Sequence, residues 1–421
     1  MDFRAAGVRR PRTVAGLRSI VAGSTRVRAL GTRHSFSRIA DTDGALIATA
    51  GLPAVCDIDS AAAAVTVGAG VTYGDLAQRL NAVGWALPNM ASLPHISVGG
   101  ACATGTHGSG SGNGSLSSAV RALELVTAGG GLITLDAGAD GDRFHGAVVG
   151  LGALGVVTTL TLDLVPAYQM RQYVYEDLPA SALTGHFDEI MGAAYSVSVF
   201  TDWQGSHHNQ VWVKHRDGDQ ERFRAGRPWH GARPADGPRH PVPGMPADPA
   251  TQQQGIPGPW HERLPHFRLA FTPSSGTELQ SEYLLPRQAA VPALTALAGL
   301  ADLFAPVLQI AEIRTVAADE CWMSMCYRQD SVAFHFTWAL DPGGVRPVVA
   351  AVEERLVPLG ARPHWGKVFG MAPRAVRARY PRWGDFRALA DSVDPAGKFR
   401  NDFMDRYFPR EDGGRASTMR A

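Results

Sequence analysis

Two short segments carry the side chains best suited to chemistry. In Gln309-Ile-Ala-Glu312-Ile-Arg314-Thr315, the two-residue period of an extended strand puts Glu312 and Arg314 on one face. In Phe334-His335-Phe336-Thr337-Trp338, the same period puts three aromatics on one face and His335 with Thr337 on the other. In an antiparallel sheet such polar faces ordinarily look into water. Carried by one sheet, however, they would form a wall with an acid, a guanidinium, an imidazole and a hydroxyl. That wall combines donors and acceptors and suits a neutral ligand rich in hydroxyls.

A second signal lies between Asn89 and Gly114, where seven of the sixteen residues from Gly99 to Gly114 are glycine. Glycine exposes bare backbone amides at small steric cost, which suits close approach to a diphosphate. Neither standard phosphate loop is matched: there is no Gly-Lys-Ser/Thr ending and no G-x-G-x-x-G opening a helix after a strand. Composition alone also permits a polar surface loop. The literal match Gly150-Leu-Gly-Ala-Leu-Gly155 is rejected, because a helix is expected before it and a strand after it.

The elements that must hold these residues are short. A helix is expected near Arg12–Val21, strands at Arg26–Leu30 and Ala64–Val67, and a helix from Tyr73 to Val83. A hairpin follows (Val120–Thr127 and Leu132–Leu135), then a helix at Asp142–Val149 and a strand at Val156–Leu164. From about Tyr168 aromatic strands dominate, at Gln172–Tyr175, Val197–Trp203, Gln210–Lys214, Phe267–Phe271, Glu278–Leu284, Gln309–Thr315 and Val332–Trp338. Between them Asp217–Pro259, rich in Pro, Gly and Arg, reads as a weakly ordered surface excursion. A helix at Val345–Leu359 precedes a tail of helix and turn.

The chain has 421 residues, enough for two domains. Its 40 basic and 39 acidic residues leave a net charge of +1, which argues against a nucleic-acid or anionic-membrane partner. Cys56, Cys102, Cys321 and Cys326 form no C-x-x-C pair and no zinc-type cluster, so no metal site is expected and reduced thiols in the cytoplasm are. Arg9-Arg10 is not followed by an apolar stretch of export-signal type, and no run approaches membrane-spanning length.

Motifs spread over the chain, from about Arg12 to Phe403, sharpen this picture. They are GTRHSFS (Gly31–Ser37), PNMASLPHISVGG with ATGTHGSG (Pro88–Gly110), LGALGVVT, EIRTVAAD, HFTW, HWGK (His364–Lys367) and DPAGKF. Through them the chain resembles the vanillyl-alcohol-oxidase-type FAD-linked flavoproteins, and within these the alditol (xylitol) oxidases. HWGK is shared with aldonolactone oxidases, so that activity stays open as an alternative. So does a flavin-binding redox module without polyol turnover.

The resemblance implies a two-domain α+β flavoprotein: an FAD-binding (PCMH-type) domain over residues 1–170, completed by the tail from about 364 to 421, and a substrate cap over 171–363 with an antiparallel sheet flanked by helices. It implies covalent attachment of FAD through His34. Ala29, Leu30, Gly31, Thr32, Arg33 and Ser35 would run along the flavin, and Ser97, Gly100, Thr104, Gly105, Thr106 and His107 would supply amides and hydroxyls. Val157, His364 and Ser92 would add further cofactor contacts. Ser92, Glu312, Arg314, Thr337 and Lys367 correspond to polyol-contacting positions, with His335, Lys367 and Arg314 as the catalytic set. In the reaction so implied, hydride leaves the terminal carbinol carbon for the flavin, His335 takes the hydroxyl proton, and oxygen reoxidises the flavin to give peroxide. A monomer with no partner beyond polyol and O2 is expected. Two departures stand out. Arg33 occupies a position where many relatives have glycine, and the relatives' Asn-Trp-Ala-Gly opening is not found, so the N-terminal end is expected to be short.

Overall fold

The structure is a computed structural model that describes residues 3–271 and 277–410. Thr13, capping Gly16 through its hydroxyl, starts helix α1 (Val14–Gly23), whose Leu17 and Val21 are fully buried. Three short parallel strands flank it, β1 (Gly7–Arg9), β2 (Val27–Leu30) and β3 (Ala45–Ala48), with β3 in the middle. A five-stranded antiparallel sheet follows, built from β4 (Cys56–Asp59), β5 (Ala64–Gly68), β6 (Val120–Val126), β7 (Leu132–Asp136) and β8 (Val156–Asp163), in the order β4-β5-β8-β6-β7. Helix α2 (Tyr73–Ala82) and α3 (Val98–Ala103) pack near it, and α4 (Asp142–Val148) precedes β8. The GLGALG segment therefore sits between a helix and a strand, as its context suggested. It does a different job: Gly152 and Leu151 offer their carbonyls to the buried guanidinium of Arg28.

The second half is organised by a nine-stranded sheet. Its long strands are β9 (Gln169–Pro179), β10 (Ser196–Thr201), β11 (His207–Arg216), β12 (Glu278–Pro286), β13 (Leu308–Val316) and β14 (Ser331–Ala339). They run β9-β11-β10-β13-β14-β12 with antiparallel pairing throughout. One face of β14 buries Phe334, Phe336 and Trp338, the last two stacked at 5.0 Å. The tail returns to the first half. The carbonyl of Lys398 accepts the Val27 amide, and the Asn401 side chain donates to Ile39 and Asp41 carbonyls.

Three expectations need correction. Phe267–Phe271 is no strand: Phe267 makes one isolated bridge to Ala250, and its amide, like that of His266, donates to the Ser92 carbonyl. Asp217–Pro259 is not a loose excursion. Arg233–Pro234 and Gly258–Pro259 pair with β9, while Phe223, Trp229 and Ala232 are buried in the core. These few apolar anchors outweigh the polar, proline-rich composition around them. The glycine segment is also more regular than a loop, since Val98–Ala103 forms helix α3. A Cβ on Gly99 would lie 2.7 Å from the Ala69 Cβ, and one on Gly108 2.2 Å from the Met90 carbonyl oxygen. Close packing onto the neighbouring chain thus accounts for part of the glycine content.

Candidate active site

A cavity of about 1550 Å³ opens between the two halves. A pocket for one small ligand holds roughly 300–1,000 Å³, so this one has room for a dinucleotide and a second molecule. One part is lined by Ala29, Leu30, Gly31, Thr32, Arg33, His34 and Ser35, with Ser97, Gly100, Thr104, Thr106, His107, Val157 and His364. These residues suit FAD. A Cβ on Gly31 would strike Ser97 Oγ at 2.5 Å, so the chain there is stripped to backbone beside a hydroxyl. Gly105 is the exception. It turns the chain at φ +67° against Met325 and does not line the cavity.

His34 stands exposed at this cradle, its Nδ1 3.0 Å from Thr32 Oγ1, which also accepts the Ser97 amide at 3.1 Å. Desolvation, with smaller contributions from His95, Lys367 and Arg33, depresses its pKa, so the imidazole is held neutral with a free lone pair. Arg33 has φ 64°, the left-handed region that favours glycine. That conformation is a physical reason for a glycine at this position in related chains.

The other part of the cavity is a wall of the nine-stranded sheet. In register, Glu312 of β13 faces His335 of β14, and His335 faces Glu282 of β12. Neighbours across a sheet project to the same side, so the three form one row. Ile310, Thr337 and Gln280 form the row beside it. Arg314, two residues along from Glu312, forms an ion pair with Glu282, lies 3.6 Å from Glu312 Oε2 through Nε, and donates to Ser92 Oγ at 3.4 Å. His335 Nδ1 is 3.5 Å from Glu282 Oε2, and its Nε2 is 3.3 Å from Thr337 Oγ1. Lys367 donates to Gln280 Oε1 and lies 5.3 Å from the centre of the Phe36 ring. The structure thus brings together Ser92, Glu312, Arg314, His335, Thr337 and Lys367.

Three groups of this wall escaped the sequence reading. Glu282 is the hub, 2% exposed, touching Arg314, His335 and His107. Its signal was available, since Gln280 and Glu282 share a face by the same alternation that exposed Glu312 and Arg314. His266 lies behind Glu312, with Nε2 2.8 Å from Oε1. Lys214, buried on β11, approaches His266 Nδ1 at 3.0 Å and also donates to the carbonyls of Leu264 and Pro265. No local pattern flags either residue, because the contact spans 46 residues in one case and 52 in the other.

The protonation states follow from burial set against neighbours. Burial alone would raise both carboxyls, but Arg314 with the adjacent histidines pulls Glu282 and Glu312 well below the ordinary carboxylate range. Burial lowers Arg314, but Glu312 and Glu282 reverse this and raise it. Lys367 is lowered to about 8 by burial, partly offset by Glu282. Burial, with Lys367, lowers His335, so its ring is neutral near pH 7. His266 is lowered to about 4 and His364 to about 3, both mainly by burial. The wall therefore offers two carboxylates, a guanidinium, an ammonium and neutral imidazoles.

Comparison with known proteins gives the family. Residues 5–136 match a family described as FAD binding domain, and residues 276–407 match D-arabinono-1,4-lactone oxidase. An alditol oxidase of Streptomyces sp. (strain IKD472 / FERM P-14339) is 54% identical over 407 residues, 96% of each chain. An L-gulono-1,4-lactone dehydrogenase of Mycobacterium tuberculosis is 30% identical over 425 residues, 94% of each chain. Among solved structures, cholesterol oxidase from B. sterolicum superposes with a TM-score of 0.74 over 96% of this chain and 94% of that one, at 17% identity, a likeness of fold alone. The chain belongs to the vanillyl-alcohol-oxidase-type FAD-linked oxidoreductases, in the family of the alditol oxidases.

Proposed function

We propose that the protein oxidises the terminal primary hydroxyl of an alditol such as xylitol or sorbitol to the aldose, with FAD tethered through His34. The observation that carries this reading is the meeting of the cofactor cradle with a wall of Glu312, Arg314, His335, Thr337 and Lys367 in one cavity. Bound FAD supplies the hydride acceptor and returns the electrons to dioxygen as peroxide.

The residues of the wall divide the remaining work. Arg314 and Lys367 donate to the reacting hydroxyl and favour its loss of a proton. His335, neutral and in reach of that hydroxyl, receives the proton, and Glu282 beside Nδ1 stabilises the imidazolium so formed. Glu312 accepts from the neighbouring hydroxyl and Ser92 helps to place it. A site built to pair those hydroxyls rejects a substrate lacking them by roughly 10⁴-fold. His34 is neutral and accessible, as a nucleophile toward an electrophilic methyl group must be. The division at residues 170 and 364 belongs to the same proposal, with the cavity at the junction. None of the four cysteines is in a disulfide, which supports a cytoplasmic setting, and no helix among the described residues is long and apolar enough to cross a membrane. We keep the monomer as the working state.

The match of residues 276–407 to a lactone oxidase favours one rival, an aldonolactone oxidoreductase. Anaerobic mixing with xylitol or with a sugar lactone, followed by air, separates the two. Bleaching of the flavin by xylitol and its return in air support the proposal, whereas bleaching by the lactone alone overturns it. Acid precipitation tests the tether: colour must stay with wild-type protein and leave with His34→Ala.

A further inference from the structure

Outside the active-site cavity, three metal-ligating side chains converge on the surface. Helix α5 (Phe187–Met191) follows His186, whose carbonyl accepts the Ile190 amide, and one helical turn brings Glu189 beside His186. His230 comes from the Asp217–Pro259 segment. It sits with Gly231 at the tip of a two-residue turn, both with positive φ (48° and 86°), closed by paired hydrogen bonds between Trp229 and Ala232. Trp229 is buried against the Tyr175 ring at 5.8 Å, so the turn is anchored and His230 is held over α5.

The distances are those of donors around a cation. His186 Nδ1 is 3.3 Å from Glu189 Oε2, and His230 Nε2 is 3.3 Å from Glu189 Oε1. The three donor atoms lie within 4.8 Å of one another. A charge-assisted hydrogen bond between imidazole and carboxylate would close to roughly 2.7–2.9 Å. Zinc bonds of about 2.0–2.2 Å in a tetrahedron put neighbouring donors ~3.3–3.6 Å apart. The two rings tilt together at 4.9 Å between centroids. None of the three residues lines the active-site cavity.

We propose that His186, Glu189 and His230 form a surface site for a divalent transition cation of the zinc class, tying the 217–259 segment to α5. Two imidazoles and one carboxylate suit Zn2+, Ni2+ or Cu2+ and not Mg2+ or Ca2+, which take oxygen ligands. His186 and Glu189 are exposed and His230 is largely buried, so the fourth position falls to water and the metal is exchangeable.

The test uses untagged, flavin-loaded full-length protein, stripped with a chelator and then titrated with Zn2+ by calorimetry. Cu2+ is followed in parallel by electron paramagnetic resonance. One equivalent should bind with a Kd on the order of micromolar, raise the unfolding temperature, and show two nitrogen ligands to Cu2+. His186→Ala, Glu189→Gln and His230→Ala should each weaken binding by about tenfold or more while polyol oxidation stays unchanged. The proposal is overturned if no saturable binding occurs below about 1 mM, or if His230→Ala binds as tightly as wild type.

Discussion

Replacing His266 with alanine tests one contact of the proposed substrate wall. The ionised Glu312 can only accept, which leaves His266 Nδ1 as the acceptor for Lys214 Nζ, 3.0 Å away. The ring proton then sits on Nε2 and points at Glu312 Oε1, 2.8 Å away. Lys214 keeps two carbonyl partners after the change, at Leu264 and Pro265, so the cap should fold. A hydrogen bond to a charged group is worth about 1.5–3 kcal/mol, and at 1.4 kcal/mol per decade its loss should lower kcat/KM for xylitol by roughly 10- to 150-fold. A monohydric primary alcohol of similar length has no second hydroxyl for Glu312 and should lose little. His266→Gln, which still presents an N–H, should recover part of the loss. Anaerobic stopped-flow reduction of the flavin with both substrates is the assay, the unchanged flavin spectrum of the variant being the control for folding. Xylitol reduction within about threefold of wild type, or equal losses on both substrates, would refute the positioning role.

Other expectations follow from the same geometry. Lys367→Met should abolish flavin reduction and spare flavin binding, as read by the visible spectrum before and after xylitol. Because Lys367 titrates at about 8 and its charge is needed, the reduction rate should fall as pH rises through about 8, and Lys367→Arg should move that limb upward in stopped-flow profiles. His266 titrates at about 4 in the fold and near 6.5 when unfolded, so below pH 6.5 the unfolded chain gains the proton that the fold refuses. Stability should therefore decline from pH 6.5 toward 4, by about 3 kcal/mol from this group, as read by urea midpoints. Glu282→Gln leaves Arg314 with a weaker buried partner and should cost about 3 kcal/mol in chemical denaturation.

Much of the site was legible because strands write their faces into the sequence with a period of two. Glu312, Arg314, His335 and Thr337 were found that way, and the register of β13 on β14 sets Glu312 against His335. Lys214 was not legible. A lysine after Trp212 and Val213 reads as a strand end near water, yet the Leu264–His266 segment covers it completely. The adjoining segment was misread as a strand, since the alternation in Phe267–Phe271 mimics one while the Phe267 and Arg268 amides turn to the Ser92 and Pro249 carbonyls. Segments held by partners far along the chain leave no periodic trace. The Asp217–Pro259 stretch fails in the same way, its order resting on isolated residues such as Trp229 and Phe223.

The charge balance of the wall connects these particulars to the choice of substrate. Glu282 and Glu312 are ionised, Arg314 and Lys367 carry the compensating charges, and His335 and His364 are neutral. A neutral polyol enters without disturbing that sum, whereas a sugar acid or a phosphorylated polyol would bring a charge with no free partner into a buried site. In the proposed reaction the one charge gained by a side chain of the wall is the proton accepted by His335, and it appears 3.5 Å from Glu282 Oε2. Glu282 is already paired with Arg314, so it stabilises the imidazolium without taking the proton itself, its own affinity for protons being well depressed. In the proposed reaction that arrangement separates two tasks which a single carboxylate could not perform: Glu312 would read the substrate's second hydroxyl, and Glu282 would support the base. Exchanging them therefore tests the whole reading, because Glu312→Gln should change the ranking of polyols while Glu282→Gln should slow all of them alike.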